Sequence, residues 1–157
     1  MAERDFPLRP SVTCRVRSLG ADPRVAQRLA QMGILPGVEV TIVRAGLLGG
    51  PLELSLGTSG QPIALGVEEA RALECQVVAL PLAAVEAGTG AYRVCELRGG
   101  ETFRLKMMER GLNVGAEFTV ERTRPYQLRL GMKGEVVTVG RGEAQKLIVE
   151  PLDATVP

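Results

Sequence analysis

The sequence predicts a mainly β protein with short helices, built as two tandem small barrels that each contain one inserted helix. Three observations carry this prediction: the chain repeats itself, short segments alternate apolar and polar residues, and glycine-rich turns separate those segments. Residues 28–44 reappear 78 positions later as 106–122, and residues 51–73 reappear 74 positions later as 125–147. The change of offset is a four-residue difference in length. We place it in the turn between Arg44 and Pro51, because a surface loop absorbs extra length at little entropic cost.

The repeat also sets the expected domain organisation. A chain of 157 residues divides into two units of about 70 residues, a size at which an isolated core is only marginally sufficient. We expect the first copy over residues 11–80 and the second over residues 91–152. The segment between them, residues 81–90, is an apolar linker that we expect to lie against one or both barrels, because it is too apolar for a solvated linker.

Each copy contains about five short strands. The alternating segments predict strands at the positions 12–16, 38–44, 52–56, 62–65 and 75–79 of the first copy, and at 92–96 and 147–150 of the second. Residues 67–73 form about one helical turn before the last strand of the first copy. Five short strands with one early helix and glycine-rich turns fit a small SH3-like barrel best.

One helix per copy is signalled by its ends. Asp22 as an N-cap, a proline at the first helical position and a glycine stop predict a helix over about residues 22–32. The second copy repeats it at about 101–110, with less evidence for its start because two glycines replace the Asp-Pro cap. We expect Gly33 and Gly111, which end these helices, to have left-handed backbone conformations.

The structural turn residues of each copy lie at the end of its helix and in the turn that follows. In the first copy Leu35-Pro36-Gly37 forms a turn before the next strand. The residues expected to shape these turns are Gly33, Pro36, Gly37, Gly111 and Gly115.

Composition argues against several kinds of chemistry. The chain has no histidine, which removes the commonest general base and the commonest metal ligand, so we expect no enzyme activity and no catalytic residues. Lys plus Arg number 19 against 18 Asp plus Glu, so the strong positive field typical of a nucleic-acid-binding protein is missing. No apolar run reaches the roughly 20 residues that span a bilayer. We therefore expect no direct insertion into a membrane.

The three cysteines predict a reducing environment. Cys14, Cys75 and Cys95 form no C-x-x-C pair, and the start of the chain carries no signal peptide, which indicates a cytoplasmic protein rather than a disulfide scaffold. By strand parity, Cys14 and Cys75 should face the core as small apolar residues, although pairing of the first and last strands could bring them together. Two thiols without histidine or a carboxylate cluster make a poor site for ferrous iron. We expect no metal site and no cofactor, and at most a weak association with transition metals.

These residues resemble a known family. The run R-L-x-x-M-G-I-L-P-G-x-x-V-x-I-V-R at residues 28–44, the following G-P-L-E-L, and L-G-x-x-E-A-x-x-L at residues 65–73 resemble the FeoA family of ferrous iron transport proteins. The FeoA domain also forms the C-terminus of some iron- and manganese-dependent repressors. The resemblance implies an SH3-like fold and an accessory role in bacterial ferrous iron transport through contact with the cytosolic part of the FeoB permease. The chain departs from the family pattern at Val114, which replaces the turn proline, and at Gly66 and Gly140, where members often carry arginine.

Candidate partner-binding residues lie where the copies differ most. The hairpin of the first copy has an apolar tip at Leu47 and Leu48, whereas the second copy is basic around the partner-binding candidates Arg122, Arg124, Tyr126 and Arg129. The leucines are either covered by the other copy or kept for a partner. The basic hairpin is either a phosphate-contacting edge or a solvated hairpin whose charges protect an edge strand. We favour the solvated hairpin, because glutamates mix the sign of the charge and only one aromatic residue could stack on a base.

Two classes of function follow from the sequence. The leading one is a non-catalytic FeoA-type module for protein–protein interaction, which acts on a FeoB-type permease or forms a homo-oligomer. The alternative is a regulatory SH3-like module related to the C-terminal domain of metal-dependent repressors, or a barrel associated with nucleic acid. The sequence contains no helix-turn-helix to favour a repressor, and nucleic acid is an unlikely partner on charge grounds.

Overall fold

The structure is a computed structural model that describes residues 9–44, 51–57, 60 and 62–152. The chain divides into two compact units, unit 1 over residues 1–78 and unit 2 over residues 79–157. Both are antiparallel sheets with short helices inserted between strands. Within the described part of the chain, no helix combines the length and apolarity needed to cross a membrane.

The described residues of unit 1 form five strands and two helices. Its elements are β1 (Thr13–Ser18), α1 (Pro23–Gln31), β2 (Glu39–Arg44), β3 (Leu52–Leu56), β4 (Ile63–Leu65), α2 (Val67–Ala72) and the first part of β5 (Glu74–Pro81). The strands follow the order β4-β3-β2-β1-β5. Alternate strand residues point into one core with α1, and its fully buried side chains include Val12, Leu29, Ile34, Ile42, Leu54 and Leu65.

Unit 2 repeats this arrangement. After the end of β5 and a 3₁₀ turn (Leu82–Ala84) come β6 (Ala91–Leu97), α3 (Glu101–Glu109), β7 (Glu117–Thr123), β8 (Gln127–Met132), β9 (Glu135–Gly140), α4 (Arg141–Ala144) and β10 (Leu147–Pro151). The strand order is β5-β10-β6-β7-β8-β9, so β9 is an edge strand. The predicted mainly β fold of two tandem units, each with an inserted helix after its first strand, is confirmed, and each unit also has a second, shorter helix, α2 or α4.

The segment 81–90, expected to be an apolar linker, is the start of unit 2. Pro81 and Leu80 pair with Ile148 and Val149 of β10. Leu82 is fully buried and Val85 nearly so. Burial explains why Leu82 and Val85 are apolar, whereas Glu86 and residues 87–89 are exposed.

The helix ends follow the sequence signals. Asp22 Oδ1 accepts a hydrogen bond from the Arg24 amide at 2.9 Å, and Pro23 is the first residue of α1. The N-cap of α3 is Gly100, whose missing side chain cannot cap the helix. Gly33 and Gly111 have φ values of 90° and 81°, which confirms the predicted left-handed conformations.

Strand register corrects our placement of the length difference between the copies. Across β2–β3 Ile42 faces Leu54, and across β7–β8 Val120 faces Leu130. Each pair precedes a β-bulge at the equivalent position. The first hairpin is therefore only two residues longer in unit 1, and our assignment of all four residues to the turn after Arg44 was wrong.

The other two residues belong to the next hairpin. Leu54 faces Ile63 across β3–β4, whereas Leu130 faces Val137 across β8–β9, so this connection is also two residues longer in unit 1. Leu52 is consequently equivalent to buried Leu128, and not to Tyr126 as the repeated motif indicated. A shift of two residues preserves the alternation of apolar side chains, which is why the motif alone did not reveal it.

A glutamate three residues into the short helix fixes the start of α2 and α4. Glu69 Oε1 accepts from the Gly66 amide at 2.8 Å, and Glu143 Oε1 accepts from the Gly140 amide at 2.9 Å. These bonds satisfy amides that the helix leaves without an intrahelical partner. Each short helix is thereby attached to the strand that precedes it.

The same glutamates bind a basic residue on the longer helix of their unit. Arg28 Nε lies 3.0 Å from Glu69 Oε2. In unit 2, Arg110 Nη1 lies 2.8 Å from Glu143 Oε1, and Lys106 Nζ lies 3.5 Å from Glu143 Oε2. Partial burial raises the pKa of Glu143, but the hydrogen bonds from Arg110 and the Gly140 amide, with the nearby positive charges, outweigh it and leave the pKa below its usual value. The longer helix and the short helix are thus joined by a charge-assisted contact in both units.

A disulfide between Cys14 and Cys75 corrects our prediction for these residues. Strands β1 and β5 are neighbours, and the two Cα atoms are 5.5 Å apart, within the usual range for a disulfide. Cys14 is fully buried, as strand parity predicted, but the pair is not two separate core thiols. Cys95 is free, and burial raises the pKa of its thiol, helped by Glu150 and Glu96.

Candidate functional site

The most distinctive surface of unit 2 is a basic depression on the β7–β8–β9 sheet. We call it the arginine face. Its volume is about 220 Å³, and it is lined by Arg122, Arg124, Gln127, Arg129, Val136 and Thr138.

Strand geometry brings these side chains together. Leu128 and Leu130 are buried, so Arg129 between them projects to the outer face of the sheet. The bulge in β7 after Val120 places Arg122 opposite Arg129, and Thr138 of β9 lies opposite Arg129 on the other side. The arginines of β7 and β8 and Thr138 of β9 therefore share one surface.

Two of these arginines are a like-charged cross-strand pair. Arg122 is directly opposite Arg129, an arrangement that destabilises a sheet because the charges repel. At the equivalent position of unit 1, Arg44 is opposite Glu53, which is a favourable pairing of charges. The basic character of the arginine face thus depends on one change of sign between the units.

Few carboxylates neutralise the arginine face. Glu121 Oε1 lies 3.7 Å from Arg129 Nε, too far for a hydrogen bond, and both side chains are about half exposed. Within the residues that the structure describes, Arg122 and Arg124 form no salt bridge. Their guanidinium groups are available to an external anion.

The turn that carries Arg124 is held in place by Arg141 at the start of α4. The Arg141 guanidinium donates to the carbonyl oxygens of Arg124 at 2.6 Å, Pro125 at 3.2 Å and Ala83 at 3.1 Å. The Arg141 amide also donates to the Tyr126 carbonyl at 2.9 Å. Arg141 therefore positions the tip of the hairpin without itself lining the arginine face.

The candidate partner-binding residues are only partly brought together. Arg122, Arg124 and Arg129 line one depression, and Tyr126 lies in the adjoining turn with 86% of its surface exposed. Leu47 and Leu48 lie outside the described residues. Gln127, Thr138 and Arg141 were missed from the sequence. A signal existed for Arg141, because the repeat places it where unit 1 has Val67.

Two of the predicted turn glycines form backbone hydrogen bonds to the first strand of their unit. The Gly37 amide donates to the Val16 carbonyl at 2.8 Å, and the equivalent Gly115 amide donates to the Val94 carbonyl at 2.8 Å. Gly111 and Gly115 also border a broader groove of about 690 Å³, whose wall includes Val114, the residue in the position of Pro36. These contacts attach the turn after the helix to the first strand of each unit.

Metal-binding chemistry is poorly supplied in the described residues. Within residues 9–44, 51–57, 60 and 62–152, no three Cys, Asp or Glu side chains come together as a metal-binding group. Cys14 and Cys75 are engaged with each other, which removes both thiolates as ligands while the disulfide is intact.

The fold defines the class of protein, which is a small protein of two tandem, mainly β units that each contain an inserted helix. Unit 2 of this protein has an exposed basic face. The chain belongs to the FeoA family: the FeoA domain model matches it twice, over residues 7–77 and 80–151. A comparison with curated protein sequences gives no match.

The chain is also similar to solved structures. The chain is similar to the solution structure of iron(II) transport protein A from Clostridium thermocellum, at 30% identity, with 91% of this chain and 84% of that chain covered and a TM-score of 0.52. FeoA from Chlorobium tepidum is 27% identical over 46% of this chain and 70% of its own, with a TM-score of 0.43.

FeoA from Stenotrophomonas maltophilia, complexed with zinc, is 28% identical over 43% of this chain and 81% of its own, with a TM-score of 0.37. It is described as a procaryotic SH3 domain protein and a candidate activating factor of ferrous iron transport. The described strand pairings place β4 and β9 at the ends of the sheet order and do not close either sheet by hydrogen bonding.

Proposed function

We propose that this protein is a non-catalytic accessory factor of bacterial ferrous iron transport, acting in the cytoplasm by contact with the cytosolic part of a FeoB-type permease. The observation that carries the proposal is the double match to the FeoA domain, which covers nearly all described residues of both units. The similarity to iron(II) transport protein A, which extends across both units, supports the same assignment.

The chemistry of the chain supports binding rather than catalysis. It has no histidine, and its one free cysteine has a raised thiol pKa, which lowers the fraction of reactive thiolate. Iron is the cargo of the transporter in this proposal, and the accessory protein needs no iron site of its own. An exposed surface with arginines and a tyrosine is the composition found at the centre of protein interfaces.

The test is a direct binding measurement with the full chain. The purified protein is titrated by calorimetry against the cytosolic domain of the FeoB-type permease from the same genome, with an unrelated domain of matched net charge as the control. We expect saturable binding to the permease domain alone. A strain that lacks this protein should take up ferrous iron more slowly and recover when the gene is restored. Absence of binding together with unchanged uptake would contradict the proposal.

A further inference from the structure

We infer that the arginine face of unit 2 docks an acidic, carboxylate-rich segment of a protein partner. The inference deepens the proposed function and rests on it only for the identity of that partner. Its starting point is the like-charged pair of Arg122 and Arg129, which disfavours the free sheet and becomes favourable once an anion lies between the two guanidinium groups.

The geometry matches carboxylates. Arg122, Arg124 and Arg129 surround one depression, and the Gln127 amide and the Thr138 hydroxyl supply further hydrogen-bond donors at its wall. Guanidinium groups bind carboxylates through two parallel hydrogen bonds. Glu121 approaches Arg129 at the border of the face without reaching hydrogen-bond distance, so it does not occupy the site.

The turn that carries Arg124 is already ordered before a partner binds. The guanidinium of Arg141 holds this turn in the free protein through the carbonyl oxygens of Arg124 and Pro125, so less conformational entropy is lost when a partner binds. Unit 1 has Val67 in the equivalent position and Glu53 in place of Arg129. Among the described residues, Arg129 and Arg141 are thus features of unit 2 that the equivalent positions of unit 1 lack.

A protein segment fits the surroundings better than nucleic acid. Glu121 borders the face, and the chain as a whole carries a formal net charge of only +1, so a long phosphate backbone would meet no extended basic track. Tyr126 is exposed beside the face, whereas the other tyrosine, Tyr92, is buried against Phe118. One exposed tyrosine among arginines is typical of a protein interface, while single-stranded nucleic acids need several stacking platforms.

The experiment measures binding of a hexaglutamate peptide to the full-length protein by fluorescence anisotropy. Hexaglutamine serves as the uncharged control, and a ten-nucleotide deoxythymidine strand represents phosphate. We expect saturable binding of hexaglutamate that weakens as salt increases, no binding of hexaglutamine, and at least about tenfold weaker binding of the oligonucleotide. Equal or tighter binding of the oligonucleotide would overturn the inference.

Matched variants locate the site. Arg129→Glu restores the charge pairing of unit 1 and should weaken hexaglutamate binding by about tenfold or more. Arg104→Glu makes the same charge change on α3, outside the arginine face, and should change binding by less than about twofold. Arg141→Lys keeps the charge but loses the forked contacts to the turn, and should weaken binding by about threefold without changing the net charge. Equal losses for Arg129→Glu and Arg104→Glu would show that only net charge matters and would overturn the inference.

The same proteins titrated with the permease domain separate the two proposals. If the wild type and Arg129→Glu bind that domain equally, docking on the arginine face is wrong while the proposed function stands. If the wild type binds hexaglutamate and not the permease domain, and ferrous iron uptake is unchanged in the strain that lacks the protein, the proposed function fails and the acidic docking surface stands.

Discussion

The β2–β3 hairpin of unit 1 and the β7–β8 hairpin of unit 2 share a fold and differ in charge. Both contain a bulge at the same place, and both follow it with an arginine, Arg44 or Arg122. Opposite that arginine stands Glu53 in unit 1 and Arg129 in unit 2. The comparison teaches that the core residues maintain the hairpin while one outward position decides whether its surface is neutralised or left basic.

The disulfide is the largest difference between the units. It joins residues 61 positions apart in unit 1, whereas unit 2 has buried Tyr92 in the position of Cys14. We expect a reducing agent to lower the free energy of unfolding of unit 1 by about 4 kcal/mol, because a closed loop of this length restricts the unfolded chain. Urea unfolding with and without a phosphine reductant, followed by circular dichroism, checks this.

The control for the disulfide is the double variant Cys14→Ala with Cys75→Ala. Its unfolding should not respond to reductant. Wild-type midpoints that coincide in oxidising and reducing buffer would show that the bond contributes nothing to unit 1.

The register equivalence of Leu128 with Leu52 gives the next largest effect. Leu128→Ala should destabilise unit 2 by about 3 kcal/mol, because it leaves a cavity at a fully buried position. Tyr126→Ala should change the free energy of unfolding by less than about 0.5 kcal/mol, because its side chain is exposed. Thermal unfolding of both variants distinguishes the register from the motif alignment, which places Tyr126 in the position of buried Leu52 and therefore predicts a large loss for both variants.

The comparison of Gly33 with Gly111 tests strain at equivalent helix ends. Alanine at either position should destabilise by about 1 kcal/mol or more, because both glycines have positive φ. The loss should be greater for Gly33→Ala, since an added Cβ would lie 3.1 Å from Leu56 Cδ1, compared with 3.8 Å from Met132 Cε at Gly111. Chemical denaturation ranks the two, and a larger loss at Gly111 would contradict the packing argument.

Glu143 makes the stability of unit 2 depend on pH. Because its pKa is lowered in the folded state, its contribution is complete above the unfolded value of about 4.3 and is lost as the pH falls through the folded value. Glu143→Gln should reduce the free energy of unfolding by about 1 kcal/mol at pH 7 and by progressively less as the pH falls below 4. Parallel unfolding curves for the two proteins from pH 7 to pH 3 would mean that the ionised carboxylate does not stabilise the helix contact.

The exchange of charge between the hairpins gives the smallest effect on stability. Arg129→Glu should stabilise unit 2 by a few tenths of a kcal/mol, and Glu53→Arg should destabilise unit 1 by a similar amount, because each reverses one cross-strand pairing of charges. High salt should reduce both differences. Shifts of the same sign in the two variants, measured at low salt, would refute the comparison.

Local signals explain how much of the fold could be predicted. Asp22, Pro23 and Gly33 mark the ends of α1 within a few residues, and the repeat transfers that information to α3. The alignment of β3 with β8 failed because residues two apart on a strand share a face, so only pairing with the neighbouring strand fixes the register. The prediction for Cys14 and Cys75 failed because the two cysteines are adjacent only after β1 and β5 meet.

The candidate site was predictable in part for a similar reason. Arg122, Arg124 and Arg129 were recognisable as a basic hairpin, since they are close in sequence. Their convergence on one depression with Thr138 depends on the pairing of β8 with β9. The repeat marks Arg141 as a difference from Val67, but its role depends on carbonyl oxygens at Arg124 and Pro125 that only the fold brings within reach.

The disulfide also determines how the chain would respond to mechanical force. A pull applied to the two ends passes from β1 to β5 through the sulfur atoms, so the segment enclosed by Cys14 and Cys75 carries no tension. The disulfide therefore prevents this segment from extending by roughly 200 Å, the contour length of the 61 residues of separation at about 3.3 Å each. In a single-molecule stretching experiment unit 2 would lengthen fully, while unit 1 would yield its hidden length only after reduction.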